Sequence, residues 1–265
     1  MIRRIFAVAH LTTLEEARSK VFNATFLFAG VTLYFGLVLT NLAQGFEDHF
    51  FRDIAFALLE LFGLAIGLGS AYRVIRQDVK KGSGVEMLFV RPLRRWEYLA
   101  GRFFGIGALL AVGLAVMGGT LAGLIAVKGF QWHWLYLAVF AEIYFKLLIV
   151  LAVAFLLALA TTSQASYFIS CLLVWASAHV MHLLKALLDR SARPDVLSAI
   201  LIKPLAYLLP NFSLFSTANH MDGILGGAIV FSGAQFVFSA AYALIYSIAL
   251  LAFSAYIFSR AEILP

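Results

Sequence analysis

Residues 82–102 read GSGVEMLFVRPLRRWEYLAGR, setting four arginines, two glutamates and a proline between two long apolar runs. The surroundings decide what this stretch is. The chain has 265 residues, 63% of them hydrophobic and only 13% charged, with a mean hydropathy of +0.93. Soluble domains carry about 25% charged residues. This chain has too little charge to cover a water-facing surface, so it reads as an all-α integral membrane protein with no room for a separate soluble domain. Residues 82–102 are then a connection between spans.

A span needs about 20 mostly apolar residues. Six runs qualify, at about 22–43, 54–75, 99–127, 133–160, 165–188 and 231–258. Together they make residues 1–265 a single transmembrane domain. Two segments are not spans. Residues 7–20 are short and mixed. Residues 189–230 are broken by Pro204, Pro210, Gly223, Gly226 and Gly227. Non-helical backbone at membrane depth must be buried in protein or line water, so 189–230 is either an external hairpin of two short helices dipping into the outer leaflet or a loop.

Basic residues near span ends set orientation. Arg3, Arg4, Arg18, Lys20, the eight between Arg73 and Arg102, and Arg260 fall on one side. Arg52, Lys128, Lys185, Arg190, Arg193 and Lys203 fall on the other. Both termini and the 82–102 connection are therefore expected in the cytoplasm. The +6 net charge belongs to this asymmetry; few basic residues remain for nucleic acid, and none is expected as a partner. The N-terminal apolar stretch is too short, and too soon followed by charge, to read as a cleaved signal. The single cysteine, Cys171, excludes a disulfide framework and reads as a buried thiol.

Residues 7–20 offer Thr12 or Thr13 as an N-cap, with Glu15 and Glu16 in the first turn. Leu11, Leu14 and Ala17 are spaced to face lipid, while Glu15, Arg18 and Lys20 face water. This is an interfacial helix leading into the first span. In the connection, the chain turns at Gly82 and Gly84 and forms a short helix over 84–92 that Pro92 ends. Val85, Leu88 and Phe89 give it one apolar face, with Glu86 and the arginines around it. Such a helix suits a groove on another protein; it is equally read as a solvated loop whose arginines set topology. A second helical piece, 94–102, leads into the third span.

Ionisable residues inside spans are functional candidates. Glu142 and Lys146 stand four apart, a spacing suited to an ion pair. Glu60 lies within the second span. Each either lines a substrate route or pairs structurally. His179 and His182 are i,i+3 in the fifth span, too few ligands for a tetrahedral metal site. Gly63, Gly67 and Ser70, and the glycines of the third span, suggest close helix packing. There is no phosphate-binding G-x-x-x-x-G-K-[ST] loop, and no convincing Ser/His, paired-Asp or zinc constellation for an intramembrane enzyme.

RPLRRWEYLAGRFFG at 91–105 resembles the K-P-[small]-S-R-W-E-[aromatic]-L-x-G-K signature of type-2 ABC transporter permeases, in the branch that includes the multi-copper-enzyme-maturation, copper-sulfur and gliding-motility permeases. LTTLEEARSK at 11–20 and YLLPNFSLF at 207–215 are similar to that branch's opening helix and to its segment before the last span. Arg91 stands where relatives carry Lys, and Arg94 where Ser is usual. The resemblance implies a permease subunit of the bacterial inner membrane, working as a homodimer with two copies of a separate ATPase. It implies no cofactor in this chain, ATP and Mg being held by the ATPase. It makes 84–92 the coupling helix, with Val85, Glu86, Leu88, Phe89, Arg91, Pro92, Arg95, Trp96 and Glu97 docking the ATPase and the 7–20 helix also touching it. A non-transporting anchor or sensor for an ATPase is the other class left open.

Overall fold

The computed structural model describes residues 2–19, isolated positions between 23 and 38, 47–81, 94–130, 132–190, 209–215, isolated positions from 217 to 224, and 232–260; at 2, 47–50, 77–81, 182–190 and 260 it describes backbone alone. The elements are α1 (Ile2–Ala17), α2 (Glu47–Lys81), α3 (Arg95–Lys128), α4 (Leu135–Ala160), α5 (Gln164–Arg190), a 3-10 turn at Phe212–Leu214, and α6 (Gly233–Arg260). Among the described residues there is no strand. Helices α2 to α6 are each long and apolar enough to cross a membrane, which makes this a multi-pass, membrane-embedded architecture. Helices suit that solvent because they satisfy their backbone polar groups internally. The expected 84–92 helix, and most of the 22–43 span and of the 189–230 segment, lie outside the described residues.

Both boundaries next to the 82–93 connection differ from the sequence reading. Helix α2 runs on to Lys81 instead of stopping at 75, and residues 95–102 are the first turns of α3 instead of a separate piece. Arg94 is extended (φ −74°, ψ 143°), and from Arg95 onward nothing in the sequence breaks the helix. With 35 and 34 residues, α2 and α3 are roughly 50 Å long. A hydrocarbon core of about 30 Å leaves their ends outside. Helix α3 stops at Gly129, whose φ of 73° is left-handed. A Cβ there would cost roughly 1 kcal/mol. Ser163 starts α5, its hydroxyl accepting from the Ser166 backbone N–H at 3.1 Å.

Helix α4 is central, touching α2, α3, α5 and α6. Residues Ile149 to Phe155 are buried without a break, as expected of a helix apolar all round. Phe56 of α2 meets Tyr136 and Phe140 of α4 edge-on, at 5.8 and 6.0 Å between ring centres. Helix α6 is peripheral, with Phe238, Ile245, Ile248 and Phe253 exposed along its outer side.

Helix α1 begins earlier than the sequence suggested. Thr12 and Thr13 are not N-caps; their hydroxyls donate to the Val8 and Ala9 carbonyls at 2.8 and 2.9 Å, deep inside the helix. Threonine makes this i−4 bond when the helix continues around it. Glu16 is buried, while Glu15, Ala17 and Arg18 are exposed.

Candidate functional site

Two polar clusters interrupt the apolar packing. The first joins α1 to α2 and α3. A Cβ at Gly101 would fall 2.7 Å from the Val8 side chain and 3.1 Å from the Ile5 carbonyl oxygen. At Gly105 it would fall 2.6 Å from the Thr12 Cβ and 2.7 Å from the Ala9 oxygen. Four residues along α3 thus match four along α1. Of the α3 glycines expected at close helix contacts, Gly101 and Gly105 admit this N-terminal helix, while Gly107 and Gly118 face Leu148 and Phe140 of α4. The Thr13 hydroxyl, whose single proton the Ala9 carbonyl shares, also lies 3.0 Å from the Gly105 carbonyl oxygen.

That close approach brings four charges together. Arg73 of α2 grips the Glu16 carboxylate with both arms of its guanidinium, Nε lying 3.1 Å from Oε1. Bidentate charge-assisted bonds of this kind are the strong ones. Arg102 of α3 reaches Glu15 at 2.7 Å, the Thr12 hydroxyl at 3.2 Å and the Tyr98 hydroxyl at 3.1 Å. Its guanidinium carbon lies 5.2 Å from the Tyr98 ring centre, within cation–π range. Helix α1 is therefore fastened to both helices that flank residues 82–93.

Three expected docking residues fall at the start of α3. Arg95 donates to the Phe258 and Ser259 carbonyls, both at 3.0 Å. These are last-turn carbonyls of α6, which lack helical partners of their own. Trp96 is exposed. Glu97 turns inward, 3% exposed, and accepts from the Arg94 backbone N–H at 3.3 Å, capping its own helix. Val85, Glu86, Leu88, Phe89, Arg91, Pro92 and Lys20 lie outside the described residues.

The second cluster is intramembrane. Glu60, Lys146 and His179 each lie within about four residues, roughly 6 Å, of the middle of α2, α4 and α5. The ion partner of Lys146 is Glu60 across the helix interface, at 3.1 Å, where the sequence suggested Glu142 along the same helix. The Glu60 carboxylate also accepts from the Trp175 indole N–H at 3.2 Å, and His179 Nε2 lies 3.1 Å from it. The other ring nitrogen of His179 is 3.0 Å from the Trp175 carbonyl. Both ring nitrogens of His179 are thus engaged. The His182 side chain lies outside the described residues, among which no three His, Cys, Asp or Glu are grouped as metal ligands.

Glu142 binds elsewhere. Its carboxylate accepts from the Thr217 hydroxyl at 2.6 Å and the Thr217 backbone N–H at 3.0 Å. The segment before Thr217 is folded on itself. The Asn211 side-chain oxygen takes the Ser213 N–H and hydroxyl at 3.2 and 2.7 Å, and the Asn211 N–H donates to the Tyr242 hydroxyl at 3.1 Å. Phe212 and Phe215 are buried, Phe212 meeting the His179 ring edge-on at 5.1 Å. The PNFSLF stretch therefore packs against α5 and α6, and Thr217 just beyond it ties to α4. Arg73, Arg102, Tyr98, Trp175 and Thr217 were not singled out as site residues by sequence reasoning. Only their three-dimensional partners mark them.

Comparison with protein-family models gives no match, and comparison with curated proteins gives none.

Proposed function

We propose that the chain is the permease subunit of an ATP-binding cassette transporter, moving substrate across or out of the inner membrane. ATP is hydrolysed by a separate ATPase docked on 84–92. Six spans, cytoplasmic termini and a permease homodimer carrying two ATPases complete this reading. The observation that supports it best is the fastening of α1. A partner that grips 84–92 pulls on the ends of α2 and α3. The Arg73–Glu16 and Arg102–Glu15 pairs make those ends and α1 move together. Arg95 carries the same movement to the end of α6. A short connection is thereby linked to four helices, which is what transmission from an ATPase requires. The Glu60 cluster and the Glu142–Thr217 bonds hold helices at mid-depth that part when access changes.

The test is purification of the tagged chain from its native membrane in mild detergent, with mass spectrometry of the proteins that follow it. An ATPase is expected with the intact chain and is lost when Glu86 and Arg91 are both changed to alanine. An intact chain that brings no ATPase with it overturns the reading.

A further inference from the structure

The face that α1 turns away from the bundle has its own chemistry. Helical spacing puts Arg3, Phe6, Ala7, His10, Leu11, Leu14 and Arg18 on that side, opposite the Thr12 and Glu16 that meet α2 and α3. Phe6 is 73% exposed, Leu11 44% and Leu14 47%. Arg3, Arg4 and Arg18 are exposed around them. The one acidic residue on this side, Glu15, already meets Arg102 at 2.7 Å. Among the described residues the face is thus an apolar centre with arginines around it, its acidic residue already paired.

We propose that this face is a docking surface for the headgroups of anionic phospholipids. Three observations commit it to lipid. Its charge is complementary to an anionic leaflet, which draws basic segments. An apolar centre among arginines is the pattern of helices that sit at the headgroup boundary. The face is also continuous with a lipid-facing span, because α1 lies against Gly101 and Gly105 and the intervening Phe104 is 58% exposed on α3. Phe6, Leu11 and Leu14 enter the acyl boundary while the arginines meet phosphate. Because α1 is fastened to α2 and α3, headgroup charge acts directly on the position of two spans.

The experiment uses the full chain, without any ATPase, in phosphatidylcholine vesicles carrying traces of spin-labelled phosphatidylglycerol or spin-labelled phosphatidylcholine. It reads the ratio of their association with the protein. Each arginine at an anionic leaflet contributes roughly five-fold, and because a trace headgroup brings a single charge, the expected preference is a few-fold rather than the product over three arginines. The intact chain is expected to prefer phosphatidylglycerol, with high salt removing most of that preference. The Arg3→Gln/Arg4→Gln/Arg18→Gln variant is expected to lose most of it, and the corresponding lysine variant to keep it. The salt arm needs no variant, so a misfolded substitution leaves the test intact. Equal association of both lipids with the intact chain overturns the proposal, as does an unchanged preference in the glutamine variant. The permease reading can fail without touching these outcomes.

Discussion

Replacing Gly105 by alanine should loosen α1, although the same change in most helices stabilises. In a helix interior alanine is favoured over glycine by about 1 kcal/mol. Against that gain stands a Cβ placed 2.6 Å from the Thr12 Cβ and 2.7 Å from the Ala9 carbonyl oxygen. Neither neighbour is the free end of a long side chain, so α1 must retreat as a body. Overpacking of this kind costs about 1–3 kcal/mol. Retreat also stretches the Thr13 bond to the Gly105 carbonyl at 3.0 Å and the Arg102–Glu15 contact at 2.7 Å. A weakened hydrogen bond costs about 1 kcal/mol. The balance is a net loss of roughly 1–3 kcal/mol. Gly119 is the control, on the same helix with nothing within 4 Å of its Cβ position. There alanine brings only the gain. The assay is thermal unfolding of both variants in one detergent, with hydrogen exchange of the α1 amides. Gly105→Ala should melt lower than the parent and lose α1 protection, while Gly119→Ala should melt at or above the parent. A Gly105→Ala protein as stable as Gly119→Ala, with α1 still protected, refutes the close packing and the fastening built on it.

Other substitutions probe the two polar clusters. Glu16→Leu leaves the Arg73 guanidinium against an apolar side chain with its partner charge gone, at a cost of about 3 kcal/mol; adding Arg73→Leu should recover most of it, which unfolding of the single and double variants will show. Glu60→Leu strands Lys146 in the membrane in the same way, and Lys146→Leu in that background should restore the melting temperature rather than lower it further. Thr217→Val removes one of the donors to the Glu142 carboxylate, worth about 1.5–3 kcal/mol, and should raise protease cleavage within 205–220 while leaving α1 protection unchanged.

The spans were legible because hydropathy averages over twenty residues, and five of the six expected runs coincide with helices α2 to α6. Their ends were less legible. Hydropathy falls at Arg73 and rises again at Leu99, but helical hydrogen bonding does not follow hydropathy and persists to Lys81 and from Arg95. Thr12 read as a cap because capping and i−4 bonding call for the same hydroxyl. The glycines of α3 announced a close approach without naming the partner, since Gly101 fits α1 as well as it fits another span. The same limit applies to Lys146. Spacing pointed to Glu142 one turn away, while the fold brings Glu60 from 86 residues distant. Local pattern specifies a helix and its faces; which faces meet is a property of the whole bundle.

Placing a photo-crosslinking residue at Phe89 in native membranes tests the coupling role of 84–92 most directly. A second photo-crosslinking residue at Val127, exposed near the far end of α3, serves as the control. The expected result is an adduct from position 89, absent from 127, to a protein carrying a phosphate-binding G-x-x-x-x-G-K-[ST] loop. No adduct at 89, or an adduct there only to lipid, contradicts the proposal that an ATPase drives this chain through that connection.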